Sequence, residues 1–315
     1  MAEVIERCRI VLKNWDGLAC LRNYVQSLEK NNAFLTPGSF MKIDSHHHFW
    51  KYDPVEYSWM NEDMGILKSD HLPTDLKKEI DAAGIDGVVS IQASQSMKET
   101  DDLLRYAAEE DFVKGVVGWF PLADDRVGES LAKYAENPWL KGVRHVVQDE
   151  PDDRFILGGD FNRGITLLKE FGLVYDILIY ERQLAPSIEF VDRHPELVFV
   201  LDHVAKPRIR DGAMEPWADL MRQMAERPNV SCKLSGMATE ADWANWTESQ
   251  LIPYLDVALE AFGPDRLMFG SDWPVARLAV EYGPWVKLMT TYLSKLSLSE
   301  QAAIWGENAI QAYKL

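Results

Sequence analysis

Eight short runs rich in β-branched residues recur between residues 41 and 271, with stretches of helical spacing between them. This alternation limits the possible folds more than any other feature. The runs are 41–46 (MKIDSH), 87–91 (GVVSI), 115–120, 142–147, 173–179, 197–203, 229–234 and 266–271. Helical patterns at Asp75–Ala83, Lys98–Glu110, Val127–Glu136, Phe161–Phe171, Leu184–Arg193, Pro216–Glu226 and Ser249–Phe262 separate them; Leu278–Leu293 and Ser299–Ala312 follow the last. Strands that alternate with crossover helices build a parallel sheet, and eight such units over about 275 residues predict an α/β fold, the (β/α)8 TIM barrel. A doubly wound open sheet is the rival, but it usually carries a Gly-rich phosphate turn after its first strand. Here the first run ends in three histidines, His46, His47 and His48.

Residues 1–40 stand apart from the barrel, which is expected over 41–315. Val4, Ile5, Cys8, Val11, Leu12, Trp15, Leu18 and Leu21 recur at helical spacing, so an N-terminal helical extension is predicted, ending at Thr36-Pro37-Gly38-Ser39. It is read either as a docking helix, which would make the protein a homo-oligomer, or as a dispensable extension. The 33 Lys+Arg against 50 Asp+Glu give a net charge of −17, which repels polyanions and argues against a nucleic-acid partner. No apolar run reaches membrane-spanning length, so no membrane partner is expected. Three cysteines (Cys8, Cys20, Cys232) without a C-x-x-C spacing fit a reducing compartment, and no basic-then-apolar leader precedes them. A soluble cytoplasmic protein is the expectation.

In a barrel of this kind, active-site residues sit at the C-terminal ends of the strands. Titratable residues collect there. Alternation along the first strand places His46 and His48 on one face, toward the barrel mouth, and His47 toward the helices. Two imidazoles so placed suit a metal ion or a substrate oxygen. The sixth run ends Leu201-Asp202-His203, with Lys206 in the loop beyond. The eighth ends Gly270-Ser271-Asp272-Trp273-Pro274, where Asp272 reads either as a general base or as a helix cap. On the fourth run Arg144 and His145 alternate, and Arg144 is the one expected inside, where its fixed donor fork can polarise a carbonyl. Tyr175 and Lys233 are further candidates on the fifth and seventh runs. Trp50, Tyr57, Trp59, Trp119 and Trp273 fall near loop ends and suit the apolar faces of sugar-like rings. Serine-nucleophile elbows, P-loops and dinucleotide fingerprints are absent from the sequence.

The set IDSHHHFW, KGVRHVVQDEPD, LDHVAKP, CKLSG and FGSDWP resembles the amidohydrolase superfamily. More narrowly, it is similar to the amidohydrolase-related (amidohydrolase 2) branch of sugar-acid lactonases and 2-pyrone-4,6-dicarboxylate lactonase. Members similar to this chain open L-fucono-, L-rhamnono- and related aldono-lactones. The resemblance spans residues 41–315 and implies hydrolysis of a cyclic ester. Asp272 would take a proton from the attacking water and return it to the leaving alcohol. Arg144 and His46, His48 and His203, or a metal they hold, would stabilise the oxyanion. Trp50, Tyr57, Trp59, Trp119, Tyr175, Lys206, Lys233 and Trp273 would form the substrate-binding shell around a small-molecule lactone. The resemblance implies either no obligatory cofactor or one divalent metal, Zn²⁺ first, on His46, His48, His203 and Asp272. The bridging lysine of two-metal relatives is missing from the fourth run. Two other chemistries share this pattern: metal-dependent decarboxylation and hydrolysis of a pyrone dicarboxylate. A barrel that binds a sugar acid without turning it over, or serves as a structural subunit, is the non-enzymatic reading.

Overall fold

The computed structural model describes residues 40–315. The expected N-terminal helix, with Cys8 and Cys20, lies outside the described residues. The β-branched runs form strands β1 (Ile43–His47), β2 (Gly87–Ile91), β3 (Val113–Gly118), β4 (Leu140–Val146), β5 (Val174–Leu178), β6 (Phe199–Leu201), β7 (Val230–Leu234) and β8 (Leu267–Phe269). They pair in parallel in sequence order, and all residues of β1, β2 and β5 are buried, as a sheet covered on both faces requires. The two ends of the sheet meet where Asp272 N donates to His46 O (2.8 Å) and His48 N donates to Trp273 O (2.7 Å). This seam makes the sheet a nearly closed barrel and sets the eighth strand-end loop against the first.

Helices α1 (Pro73–Ala83), α2 (Met97–Glu109), α3 (Val127–Tyr134), α4 (Gly159–Leu168), α5 (Leu184–Arg193), α6 (Trp217–Ala225), α7 (Glu248–Phe262) and α8 (Tyr282–Leu293) surround the strands. Each lays an apolar stripe on the barrel. In α2, Ser96 caps the helix by accepting from Glu99 N, while Leu103, Leu104 and Ala107 are buried. In α6, Trp217 is buried and its Nε1 donates to Val204 O at 2.7 Å, which anchors the loop after β6.

The barrel interior holds Ile43, Val89, Ile91, Val117, Val174, Val200 and Met268 in one apolar cluster. Ala309 and Tyr313 from the C-terminal helix pack into the same cluster and plug it.

Beyond shifts of a few residues at element ends, two elements carry features that the pattern did not predict. The helix expected at Ser299–Ala312 forms over 298–313 but carries one π turn (Ala303–Glu307) between α9 (Leu298–Ala302) and α10 (Asn308–Tyr313). Gly306 of that turn crosses close to the entry of β1, where a Cβ would stand 2.0 Å from Met41 O and leaves room only for glycine. The sixth strand stops at Leu201, not at His203. His203, Val204, Ala205 and Lys206 take positive φ angles of 53°, 47°, 59° and 48°. The chain therefore reaches the barrel mouth through a left-handed turn rather than along a strand.

Candidate active site

Strand alternation and this turn deliver the site. His46 and His48 come from the end of β1, Arg144 from β4, His203 from the left-handed turn and Asp272 from the loop after β8. Asp272 also has positive φ, 58°. Among the described residues, five of the six non-glycine residues with positive φ are the turn 203–206 and Asp272, a strained conformation for side chains such as Val204. Among the described residues they open into a cavity of about 580 Å³ whose wall includes His48, Arg144, His203 and Asp272.

One hydrogen bond fixes the His48 tautomer. His48 Nδ1 lies 2.8 Å from Ile91 O, a pure acceptor, so Nδ1 carries the proton and Nε2 a lone pair. That Nε2 stands 3.3 Å from Asp272 Oδ1 and 3.3 Å from His46 Nε2. His46 Nδ1 faces Asp202 Oδ1 at 3.3 Å, and its Nε2 faces Arg144 Nη1, a donor only, at 3.3 Å. Lys233 Nζ, also a donor only, stands 3.3 Å from the same Nδ1. His203 Nδ1 meets Ser235 Oγ at 2.9 Å, and its Nε2 is 3.9 Å from Asp272 Oδ1.

Burial pushes the three imidazoles down, His203 to about 4, so all are neutral at pH 7. Burial would push the Asp272 carboxyl up. His203 and His48, protonated at the acidic pH where a carboxyl titrates, and Lys206 outweigh it and hold Asp272 below the usual carboxylate range.

Beneath this constellation lies a buried ion cluster. Arg144 donates from Nη1 to Asp202 Oδ2 at 2.8 Å, from Nε to Gln92 Oε1 at 2.7 Å, and also to Gln92 O. Lys233, fully buried, reaches Asp176 Oδ2 at 2.6 Å and Asp202 Oδ1 at 3.0 Å. Tyr313 of the plug donates to Asp176 at 2.8 Å. Burial raises Asp176 to about 6, against the pull of Lys233. Asp202 is held well below the carboxylate range, because Lys233 and His46 overcome the effect of burial. Two cations thus face two carboxylates in a closed set. Asp44 completes the frame by accepting from Ser271 N (2.8 Å), His46 N (3.1 Å) and Tyr282 Oη (3.0 Å), pinning the Asp272 loop to β1.

The other candidates fall into different places. Lys206 and Trp59 line the cavity. Lys233 lies under it in the ion cluster. Trp50 and Tyr57 are buried together behind the wall, with Tyr57 Oη donating to Glu99 at 3.1 Å. Trp273 packs on Phe49 and His71. Tyr175 points outward among Phe161, Phe190 and Phe199, and Trp119 Nε1 donates outward to His145 at 3.4 Å. His47 Nε2 meets Ser90 Oγ at 2.9 Å, away from the cavity. His145 pairs with Glu150 at 2.7 Å and stacks on Phe155.

Sequence reasoning missed Asp202, Asp176, Gln92 and Glu240. An aspartate inside the run VYDIL was a usable signal for Asp176, because a charge in a doubly buried strand needs a partner. Glu240 had none, since it stands in a loop rich in polar residues.

The residues fit a divalent metal. His46 Nε2, His48 Nε2 and Asp272 Oδ1 lie within 4.8 Å of one another and offer two imidazole nitrogens and one carboxylate, a donor set that zinc accepts. Arg144 does not oppose this, because Asp202 neutralises it. His203 falls into a second group, with His46 and Asp202.

A model of the amidohydrolase family (amidohydrolase 2) matches residues 43–315. The chain belongs to this family. Among its relatives, L-fucono-1,5-lactonase of Burkholderia multivorans is 40% identical over 286 residues, spanning 87% of this chain and 96% of the relative. L-fucono-1,5-lactonase of Burkholderia ambifaria is 33% identical over 278 residues, with the same two shares. A crystal structure of an amidohydrolase from Burkholderia multivorans with bound zinc superposes with a TM-score of 0.84 at 41% identity, covering 87% of this chain and 99% of that one. Zinc in that amidohydrolase agrees with the donor set found here.

Proposed function

We propose that this amidohydrolase hydrolyses a sugar-acid (aldono) lactone to the free acid, with L-fucono-1,5-lactone the first candidate. The observation that carries the reading is 40% identity, over nearly the whole barrel, to a protein named for that activity. The cavity supports it. Three carboxylates (Glu56, Asp149 and Asp272) line it against two cations, Arg144 and Lys206. Such a wall repels the dianion of a pyrone dicarboxylate and suits a neutral polyhydroxylated ring.

In this reading water attacks the lactone carbonyl and Asp272, ionised at neutral pH, takes its proton. Arg144 is the fixed cation beside the developing oxyanion. His48 presents a lone pair, not a proton, at Nε2, so it would hold a metal together with His46 and Asp272 and does not itself donate to the oxyanion. A divalent metal on His46, His48 and Asp272 would polarise the carbonyl or acidify the water. The leaving ring oxygen must then acquire a proton. The reading places the enzyme in the cytoplasm with a small-molecule substrate and neither nucleic acid nor membrane as partner.

The test is a pH-indicator assay against aldono-lactones of defined stereochemistry and a pyrone dicarboxylate, corrected for spontaneous opening. Acid release above background from an aldono-lactone subset is expected. Silence on all aldono-lactones from folded, zinc-supplemented protein would contradict the reading.

A further inference from the structure

Glu240 stands in the cavity wall on the short 3-10 turn Ala238–Glu240 that follows β7. The turn is tied down. Glu240 N donates to Met237 O (3.2 Å), Thr239 Oγ1 to Gly236 O (2.7 Å) and Trp243 Nε1 to Thr239 O (2.9 Å). The backbone leading into it runs hard against the site: a Cβ on Gly236 would lie 2.5 Å from His203 Nδ1 and 3.1 Å from Asp272 Oδ2. From the other side, Lys206 Nζ comes within 4.0 Å of Glu240 Oε1. A second carboxyl group is therefore held in the wall four residues from a backbone contact with Asp272.

We propose that Glu240 is a second catalytic carboxyl group, the general acid that protonates the ring oxygen as the lactone opens. The inference rests on the lactonase reading above. As the water oxygen bonds to the carbonyl carbon, Asp272 takes the water proton. The bond from that carbon to the ring oxygen then breaks, its electron pair stays on the ring oxygen, and Glu240 gives that oxygen its proton. Lactone and water have become a hydroxy acid. Asp272 is left protonated and Glu240 ionised, and one proton passing between them through cavity water restores both groups.

The charged groups acting on Glu240 are Lys206, from the turn after β6, and Asp272, from the loop after β8. Burial raises the Glu240 carboxyl above the usual glutamate range, with Asp272 adding to the shift and Lys206 opposing it.

The experiment compares wild type and Glu240→Gln on two lactones: an aldono-lactone, whose leaving group is an alkyl alcohol, and dihydrocoumarin, whose leaving phenol (pKa about 10) departs without help. The expected result is a fall of about 100-fold in kcat on the aldono-lactone with KM unchanged, and a change below about threefold on dihydrocoumarin. The alkaline limb of the wild-type kcat profile on the aldono-lactone should vanish in Glu240→Gln, a second readout that needs no phenolic substrate. Equal losses on both lactones, no loss on the aldono-lactone, or an unaltered alkaline limb would each overturn the general-acid role while leaving the lactonase reading intact. Wild type that opens no aldono-lactone would overturn both.

Discussion

The apolar interior of the barrel and the polar layer at its strand ends are built on opposite principles. The interior uses Ile43, Val89, Val117, Val174, Val200 and Met268, closed by Ala309 and the Tyr313 ring, in ordinary strand and helix conformations. The strand-end layer uses buried histidines, carboxylates and two cations, and it concentrates positive φ at His203–Lys206 and Asp272. Burying charge costs stability unless each ion is paired, so this layer loses stability to gain fixed geometry. The two regions meet where Tyr313 Oη donates to Asp176. The comparison implies that substitutions in the interior change stability with little effect on chemistry, whereas substitutions in the ion cluster change both.

Lys233→Met breaks the comparison most sharply. Removing the ammonium leaves Asp176 and Asp202 facing one remaining cation, Arg144, and should cost about 3–5 kcal/mol in chemical denaturation. Surviving folded protein should also lose activity, because Asp202 then pulls unevenly on Arg144 and His46. A loss below 1 kcal/mol, on the order of a surface pair, would show that the cluster does not hold the site. Met268→Ala should cost about 2–5 kcal/mol by opening a cavity, yet leave kcat within about threefold of wild type. A large fall in kcat with that variant would mean the interior and the site are not separable.

The pH profile sharpens the comparison with the smallest expected effect. Asp272 is depressed, so its carboxylate persists as pH falls, and activity is lost only when pH drops through a value below the ordinary aspartate pKa of about 3.9. The histidines are neutral well above that point and add no limb near pH 6–7. kcat/KM should therefore hold steady between pH 7 and 5. An acid limb near pH 6.5 would assign the base to an imidazole instead.

The barrel was legible because period-2 apolar runs and helical spacing record burial on each element. The runs at 87–91 and Leu184–Arg193 match β2 and α5 to the residue. The His46/His48 pair was legible for the same reason, since alternation alone puts both on one face. What the pattern could not carry is backbone that departs from it. The turn 203–206 contains valine and alanine in a conformation those residues rarely adopt, so nothing local announces it; tertiary packing, including the Trp217 bond to Val204, imposes it. Lys233 was visible as a strand-end lysine, but its partners Asp176 and Asp202 lie 57 and 31 residues away, and only the closed sheet brings them together. The aromatic candidates divided by direction: Trp59 meets the cavity, while Tyr175 on β5 and Trp119 just past the end of β3 face outward.

The central claim is that Asp272, held ionised among neutral histidines, is the base of a lactonase. The most direct measurement is the initial rate of L-fucono-1,5-lactone opening by wild type and by Asp272→Asn, with thermal melts of both. Asparagine is nearly isosteric and tolerates positive φ, so the melting temperature should stay within a few degrees while kcat falls about 10³-fold or more. An Asp272→Asn enzyme that melts like wild type and keeps its rate would contradict the account.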